Sequence, residues 1–310
     1  MRYLIFIIIF FMSVMLFVAN PIDESHRLYM SIWNTGHLFF FAFLTWLLIT
    51  ETPLIKLNRL KMLLVSVLIS LLLGGLIEVL QSLMGRYAEW EDLLVDMLGG
   101  VLGYLAVQFT LAQERRFAAK PVILLFMVSV LLLAFYPVYS IYRDDVDIQS
   151  NFPQIAEFES AGTLKRWDTL HVKRFEIDDN LHVEGQSSAI VEFGPGRYPS
   201  VSLFALFPDW SAYNYLNLSV HNDQKEALEL EVKVYDHQHR KNGSEYHDRF
   251  NLEVVARPGW NTLKIRILDI YHAPKERHME INDIAGLSVF LSDLKTSKSI
   301  HLDNVHLSNK

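Results

Sequence analysis

The feature that constrains this chain most is a set of apolar stretches in its first 142 residues. A transmembrane helix needs about 20 consecutive apolar residues. Five stretches approach or exceed that length, at about 3–19, 32–50, 62–84, 93–112 and 121–140. Residues 1–142 are therefore predicted to form an α-helical transmembrane bundle of about five helices. The first stretch is either a retained anchor or a signal peptide cleaved after Ala19. Its single basic residue and long apolar run favour the anchor.

The basic residues of the short loops predict the orientation, because cytoplasmic loops carry an excess of Lys and Arg. Two basic residues fall on one side of the predicted membrane, Arg27 and Arg86. The others fall on the opposite side: Arg2, Lys56, Arg59, Lys61, Arg115, Arg116 and Lys120. The sequence thus predicts a multi-pass protein of the cytoplasmic (inner) membrane. Its N-terminus is cytoplasmic and its C-terminal domain is extracytoplasmic.

The charge distribution separates the two halves of the chain. Residues 1–142 hold as many acidic as basic residues, so the net charge of −7 belongs to residues 143–310. Without a basic patch, no nucleic-acid partner is expected. The chain has no cysteine, which excludes disulfides and thiolate metal sites.

Several polar residues interrupt the apolar helices. An ionisable group in a membrane segment costs several kcal/mol unless it is paired or faces a polar cavity. The predicted topology brings polar groups from three helices to one depth in the outer leaflet. The candidate ligand-binding residues are His37, Glu78, Gln81, Arg86, Asp92 and Asp96.

Two interpretations of these residues remain open. They are either a site that binds a polar headgroup from the outer leaflet, or a polar clamp that holds the helices together. If the site is catalytic, Glu78 or Asp96 is the candidate general base and His37 the candidate acid. A divalent metal on His37 and the carboxylates, or a proton relay through Asp92 and Asp96, are further alternatives.

The spacing of these residues resembles the VanZ-like family of small membrane proteins. The resemblance rests on His37, on E78-x-x-Q81, R86 and D92, and on G99-x-x-x-G103. The family often has Asn at the position of Asp96. The resemblance implies a membrane fold and a cell-envelope context linked to glycopeptide (teicoplanin) resistance. It implies no particular reaction.

Residues 143–310 show a different pattern, with short alternating segments separated by Gly, Pro, Asn and Asp. Segments such as 228–235 (LELEVKVY) and 262–268 (TLKIRIL) are typical of β-strands. Many short strands without helical periods predict an all-β sandwich.

This second half resembles the galactose-binding-like jelly-roll modules, in particular the carbohydrate-binding domains related to family 11. The matching positions are FE at 158–159, W167, EGQ at 184–186, YPSV at 198–201, DWSAY at 209–213, YD at 235–236, DRFN at 248–251, PGWN at 258–261 and LDNV at 302–305. The resemblance implies a glycan-recognition fold, which many relatives use as a structural module.

Three groups of residues in this domain are candidates for function. Trp210 and Trp260 are sugar-stacking candidates or, alternatively, core residues. Asp236, His237 and His239 form either a ligand-facing edge or a solvated loop. Glu159 and Asp303 could ligate a structural Ca²⁺, which prefers oxygen donors. No other cofactor is expected.

The sequence therefore predicts an envelope membrane protein that recognises a glycan or a lipid-linked saccharide at the outer face of the membrane, with an effect on glycopeptide susceptibility. In that interpretation the bundle holds the lipid headgroup and the β-domain contacts the sugar. The alternatives are an enzyme acting on a lipid-linked envelope precursor, and a structural or assembly protein whose β-domain binds a protein partner. The ligand, any reaction and the oligomeric state are left open.

Overall fold

The computed structural model describes residues 27–83, 90–115 and 119–310. The chain divides into two compact units, Met1–Asp144 and Asp145–Lys310. The helix predicted at 3–19 lies outside the described residues.

The first unit is helical. Its long helices are α1 (Arg27–Glu51), α2 (Arg59–Leu83), α3 (Trp90–Arg115) and α4 (Ala119–Asn151), with a 3₁₀ turn at Pro53–Lys56 between the first two. Within the described ranges, these four helices are long and apolar enough to cross a membrane. Leucines such as Leu64 and Leu72 on α2 are exposed rather than packed. Outward-facing leucine is typical of a helix surface that contacts lipid.

Helix α4 is longer than the apolar stretch that predicts it. It continues to Asn151 through a polar segment that includes Arg143, Asp144 and Asp147. No Gly or Pro occurs between Pro137 and Pro153 to end it. The segment that leads into the second unit is therefore helical rather than a loop.

Two glycines let α1 and α3 pack closely. A Cβ atom added to Gly99 would lie 2.6 Å from the carbonyl oxygen of Leu38 and 2.8 Å from the Cβ of Phe41. One added to Gly103 would meet the carbonyl oxygen of Ala42. Small residues at this spacing are what close helix packing in membranes requires.

We expect Gly99→Ala to destabilise the bundle by about 1–3 kcal/mol, because backbone atoms must move to admit the new methyl group. Gly75→Ala on α2 is the matched control, since a Cβ there meets nothing within 4 Å. Alanine also favours the helix, so the control should be neutral or slightly stabilising. Thermal unfolding of the detergent-purified protein measures both variants. Equal effects would contradict the close contact between α1 and α3.

The second unit is built of eleven strands and three short helices. The strands are β1 (Gln154–Ala156), β2 (Trp167–Leu170), β3 (Val172–Asp178), β4 (Ser188–Phe193), β5 (Ser200–Leu203), β6 (Tyr215–Asn222), β7 (Leu228–Asp236), β8 (Phe250–Ala256), β9 (Gly259–Arg266), β10 (Ile284–Phe290) and β11 (Lys298–Ser308). The helices are α5 (Ala161–Leu164), α6 (His237–Lys241) and α7 (Ile267–Tyr271), and a 3₁₀ turn spans Tyr246–Asp248.

The strands form two antiparallel sheets. One has the order β3-β4-β11-β6-β9, with β1 also paired to β11, and the other has the order β2-β5-β10-β7-β8. The chain crosses repeatedly from one sheet to the other, as in a jelly roll. The predicted fold class, a transmembrane helical bundle followed by an all-β jelly-roll sandwich, is confirmed.

Alternation along each strand decides which side chains form the core. On β7, Leu230, Val232 and Val234 are buried between the sheets. Successive side chains of a strand point to opposite faces. Glu231 and Lys233 therefore lie on the outer face of the five-stranded sheet, where a functional surface can form.

Candidate functional site

The first unit contains a cluster of buried polar side chains. His37 on α1, Glu78 and Gln81 on α2, and Asp92 and Asp96 on α3 are all buried. Their i,i+3 and i,i+4 spacings place each pair on one helix face. Arg86, the remaining predicted member, lies outside the described residues.

A hydrogen bond joins two of these side chains directly. Nδ1 of His37 lies 2.9 Å from Oδ1 of Asp96. Asp96 is 0% exposed, so the imidazole and the carboxyl group meet away from water. The pair connects α1 to α3 and fixes the orientation of the imidazole ring.

The other carboxyl oxygen of Asp96 faces the backbone of α2. A Cβ added to Gly74 would clash with this Oδ2 atom. Among the described residues, Oδ2 has no hydrogen-bond partner. Asp96 therefore has one oxygen on His37 and a second, buried oxygen beside the backbone of α2.

Of the two interpretations of Trp210, the structure supports the core residue and contradicts the sugar-stacking role. Trp210 is 0% exposed in the sandwich core, and its Nε1–H donates to the carbonyl oxygen of Phe207 at 2.9 Å. No sugar can reach the ring. Trp260, on β9, is partly exposed and packs edge-on against His221 at 5.2 Å between ring centroids.

Neither interpretation of Asp236, a ligand-facing edge or a solvated loop, fits the structure. Its carboxylate is fully buried and accepts hydrogen bonds from Nη1 and Nη2 of Arg277 and from the backbone N–H groups of His239 and Glu280. Burial opposes ionisation, but these hydrogen bonds lower the pKa of Asp236 below its usual range. The carboxylate caps the N-terminus of α6, and its role is therefore structural.

The two histidines next to it are buried as well. Nδ1 of His237 lies 2.9 Å from Oδ1 of Asp283. His239 packs beside the ring of Tyr235, and burial together with the charge of Arg249 lowers the pKa of His239. These residues support the adjacent strand and do not form an exposed edge.

The predicted calcium ligands lie around one hollow. Glu159 accepts hydrogen bonds from the backbone N–H groups of Gln186 and Ser187, and Asp303 accepts from those of Val183 and Glu184. The hollow, of about 290 Å³, is also lined by other oxygen-bearing side chains, namely Gln154, Glu157, Glu184 and Asn304. The donors suit Ca²⁺. The same carboxylates also hold residues 183–187 directly, and calcium binding here stays a prediction.

A cleft on the outer face of the five-stranded sheet was not predicted from the sequence. It has a volume of about 470 Å³. Its floor comes from outward-facing residues of β5, β10, β7 and β8, and tyrosines stand at its rim. The lining residues are Leu170, Tyr198, Ser200, Ser202, Glu231, Lys233, Tyr246, Arg249, Glu253, Ser288, Phe290 and Ser292.

The cleft combines aromatic rings, charges and a buried hydroxyl group. The guanidinium of Arg249 lies over the ring of Tyr246, 5.2 Å from its centroid. Burial and the neighbouring charges of Arg249 and Arg240 lower the pKa of Lys233 to about 8. The buried Oγ of Ser288 has no hydrogen-bond partner among the described residues. Such a surface can hold a polar ligand that also has an apolar face.

The sequence carried a partial signal for this cleft. On β7, charged residues alternate with buried apolar residues. Ser202 on β5 and Ser288 on β10 likewise stand between buried apolar residues. Only the strand order brings these positions together, because β5, β7 and β10 are distant in sequence and only β8 directly follows its neighbour β7.

Comparison with known families finds a match within the first unit. Residues 3–112 match the VanZ/LLP1 family model. With the four membrane-capable helices, this match establishes a membrane protein. A comparison with curated proteins finds no match.

Comparison with solved structures finds carbohydrate-binding modules and agarases. A family 11 carbohydrate-binding module from Clostridium thermocellum, in complex with a β-1,3-1,4-mixed-linked tetrasaccharide, has 13% identity and a TM-score of 0.40 over 50% of this chain and 95% of that chain. An exo-β-agarase has 14% identity and a TM-score of 0.41 over 51% of this chain, which spans only 25% of the agarase. A family 30 module from Clostridium thermocellum has 15% identity and a TM-score of 0.36, covering 47% of this chain and 87% of that one.

Proposed function

We propose that this membrane protein, with its VanZ/LLP1 domain, recognises an envelope glycan or a lipid-linked saccharide. The observation that carries the proposal is the cleft on the outer face of the five-stranded sheet. Tyr198, Tyr246 and Phe290 supply aromatic surface for the C–H face of a sugar ring. Arg249 and Ser288 supply hydrogen-bonding groups for hydroxyls.

The buried cluster of the bundle is the second part of the proposal. Asp96, oriented by His37, presents one carboxyl oxygen that a hydroxyl or ammonium group of a lipid headgroup can engage. Glu78, Gln81 and Asp92 are buried on the helices that pack around it. Arg86 is proposed to bind a phosphate by charge-assisted hydrogen bonds.

The basic residues of the loops support a proposal for the location of the protein. We place it in the cytoplasmic (inner) membrane as a multi-pass protein, with the N-terminus inside and the sandwich outside. Envelope saccharides are exposed on that outer side. Recognition of such a precursor would change the susceptibility of the cell to glycopeptide antibiotics.

Tyr246→Ala and Arg249→Ala test the cleft. We expect each to lower affinity for the bound saccharide by about tenfold, equivalent to about 1.4 kcal/mol, because truncation removes an anchoring contact at the cleft. The measurement is binding of a panel of purified envelope oligosaccharides to the full-length protein in lipid nanodiscs. Calorimetry then gives the affinity for any oligosaccharide that binds.

Trp260→Ala is the matched control for this experiment. Trp260 is a partly exposed aromatic residue on the other sheet, on β9, and should leave saccharide affinity unchanged. If Trp260→Ala abolished binding and Tyr246→Ala did not, the cleft would not be the saccharide site. If no oligosaccharide bound, a protein partner for the sandwich would become the favoured function.

A second candidate function is an enzyme that acts on a lipid-linked envelope precursor. The observation that favours it is the buried pair of His37 and Asp96, because catalytic imidazoles are often oriented by a carboxylate. The test is conversion of a purified lipid-linked precursor by the full-length protein and by Glu78→Gln. A reaction that needs Glu78 as base is lost in that variant, whereas simple binding can survive it.

A further inference from the structure

Two histidines and an aspartate come together on the outer face of the six-stranded sheet. His221 on β6 and His301 on β11 are directly opposite each other in the antiparallel register. Residues paired in this way have neighbouring side chains on one face of the sheet. Asp223 is the first residue after β6, and its carboxylate lies beside the imidazole rings of His221 and His301.

The donor atoms of these side chains converge. Oδ1 of Asp223 lies 2.7 Å from Nδ1 of His221 and 3.1 Å from Nδ1 of His301. One ligand atom from each of the three residues lies within 4.8 Å of the others. Ligand atoms at bond lengths of about 2.0–2.1 Å around a tetrahedral Zn²⁺ lie about 3.3 Å apart, so small side-chain movements suffice to form that geometry.

The surroundings of His301 match those of a metal ligand. Its Nε2 lies 2.9 Å from Oδ2 of Asp178. Asp178 also accepts hydrogen bonds from the backbone N–H and the side-chain amide of Asn180, which hold it in position. Metal-binding histidines commonly donate their second ring N–H to a carboxylate. With the proton on Nε2, the lone pair of Nδ1 can bind an ion in place of its contact with Oδ1 of Asp223.

The three candidate ligands differ in exposure. The His301 side chain is 6% exposed, whereas those of His221 and Asp223 are 19% and 24% exposed. An ion can therefore enter from solvent, and water can complete its coordination. The ring of Trp260 packs against His221 and limits the movement of that imidazole.

We propose that His221, His301 and Asp223 form a binding site for a late first-row divalent metal ion, with Zn²⁺ the best match. Two imidazole nitrogens and one carboxylate oxygen are a donor set that this class of ion prefers. Asp178 is a positioning residue for His301. The ion would tie the end of β6 to β11, and the site is independent of the saccharide cleft because it lies on the other sheet.

Zinc binding by the full-length, tag-free protein tests the proposal. The protein is treated with chelator, dialysed against Zn²⁺ in detergent, and its metal content is measured by mass spectrometry. We expect about one ion per chain, and at least about tenfold weaker binding for His301→Gln, His221→Gln or Asp223→Asn. Asp178→Asn should weaken binding by about 10–100-fold without removing a ligand. His182→Gln, at an exposed histidine in the same domain, should have no effect.

Cobalt provides a second readout, which reports the coordination geometry as well as binding. Co²⁺ in a tetrahedral site of nitrogen and oxygen ligands absorbs strongly in the visible range, so the wild type should show this band and His221→Gln should lose it. Circular dichroism checks that each variant is folded. If His301→Gln fails to fold, the variants His221→Gln and Asp223→Asn still test the proposal, because they replace more exposed side chains. Absence of zinc binding in the wild type would overturn the proposal. Zinc binding that is unchanged in both His221→Gln and Asp223→Asn would also overturn it.

Discussion

Replacement of Asp96 by alanine is expected to release the polar lipid that the proposed headgroup site would retain during gentle extraction. Asp96 is the buried carboxyl group that orients His37 and presents its second oxygen beside Gly74. Without it, a bound headgroup loses this acceptor and the imidazole loses its partner. Native mass spectrometry of the full-length protein should show at least about tenfold lower occupancy of the lipid adduct, a change of about 1.4 kcal/mol in binding.

The same substitution should also destabilise the bundle. A buried polar group left without its partner costs about 1–3 kcal/mol, and Asp96→Ala leaves His37 in that state. Asp96→Asn separates the two effects, because the amide oxygen can still accept a hydrogen bond from His37. If the headgroup needs a carboxylate, Asp96→Asn loses the lipid and keeps most of the stability.

Ser70→Ala is the control for both measurements. Ser70 is fully buried on α2, and its Oγ has no hydrogen-bond partner among the described residues. Its loss should change neither stability nor lipid retention substantially. If the wild type and Asp96→Ala carried the same ordinary phospholipids in equal amounts, the cluster would be a packing clamp. The headgroup part of the proposed function would then fail, and the sandwich cleft would still stand on its own test.

Replacement of Asp236 by alanine should cause the largest loss of stability in the sandwich, about 3 kcal/mol. The carboxylate is completely buried and accepts four hydrogen bonds, two of them from Arg277. Removing one partner of a buried ion pair leaves the other charge uncompensated, which typically costs 3–5 kcal/mol. The lower end applies because the Arg277 side chain is 20% exposed and keeps a second carboxylate partner, Asp248. Loss of the N-cap of α6 acts in the same direction.

Asp269→Ala provides a matched comparison, because Asp269 also accepts two hydrogen bonds from one arginine, Arg266. That pair is exposed, and exposed ion pairs contribute little to stability. Hydrogen exchange of the backbone amides of β7 and β10, measured on the full-length protein, reports the stability of the sandwich separately from that of the bundle. Similar loss of protection in the two variants would show that the Asp236 network has no special role.

The pH dependence provides a further check on Asp236. Burial opposes its ionisation, but the hydrogen bonds from Arg277, Glu280 and His239 lower the pKa below the unfolded value of about 3.9. A carboxylate with a lowered pKa stabilises the fold fully above the unfolded pKa and loses that contribution as the pH falls through the folded pKa. The difference between wild type and Asp236→Ala should therefore be constant near neutral pH and shrink below about pH 4.

Much of the architecture was predictable because it depends on local patterns. The length of an apolar stretch indicates a membrane helix, and alternation along segments such as 228–235 indicates a strand. The candidate polar residues of the bundle were identifiable for the same reason, since His37 or Asp96 is conspicuous among apolar neighbours. The continuation of α4 to Asn151 was missed because the prediction followed hydropathy, whereas a helix persists through polar residues that lack a helix breaker.

The sandwich site was less predictable, because residue type alone does not show which way a side chain points. Trp210 and Asp236 have the chemistry of sugar-binding residues, but both are buried by the packing of the sheets. Arg249 belongs to the DRFN match at 248–251, but neither it nor Tyr246 was recognised as a binding residue, because their place in the cleft depends on β8 lying next to β7.

The sequence by itself determined that one half of this protein crosses a membrane and the other is a β-sandwich. Both conclusions follow from the period and length of hydrophobic patterns, which are properties of neighbouring residues. Tertiary structure alone decided that His37 meets Asp96 and that His221, Asp223 and His301 converge. These contacts join residues far apart in the chain, and their formation depends on helix packing and strand order, which local patterns do not specify.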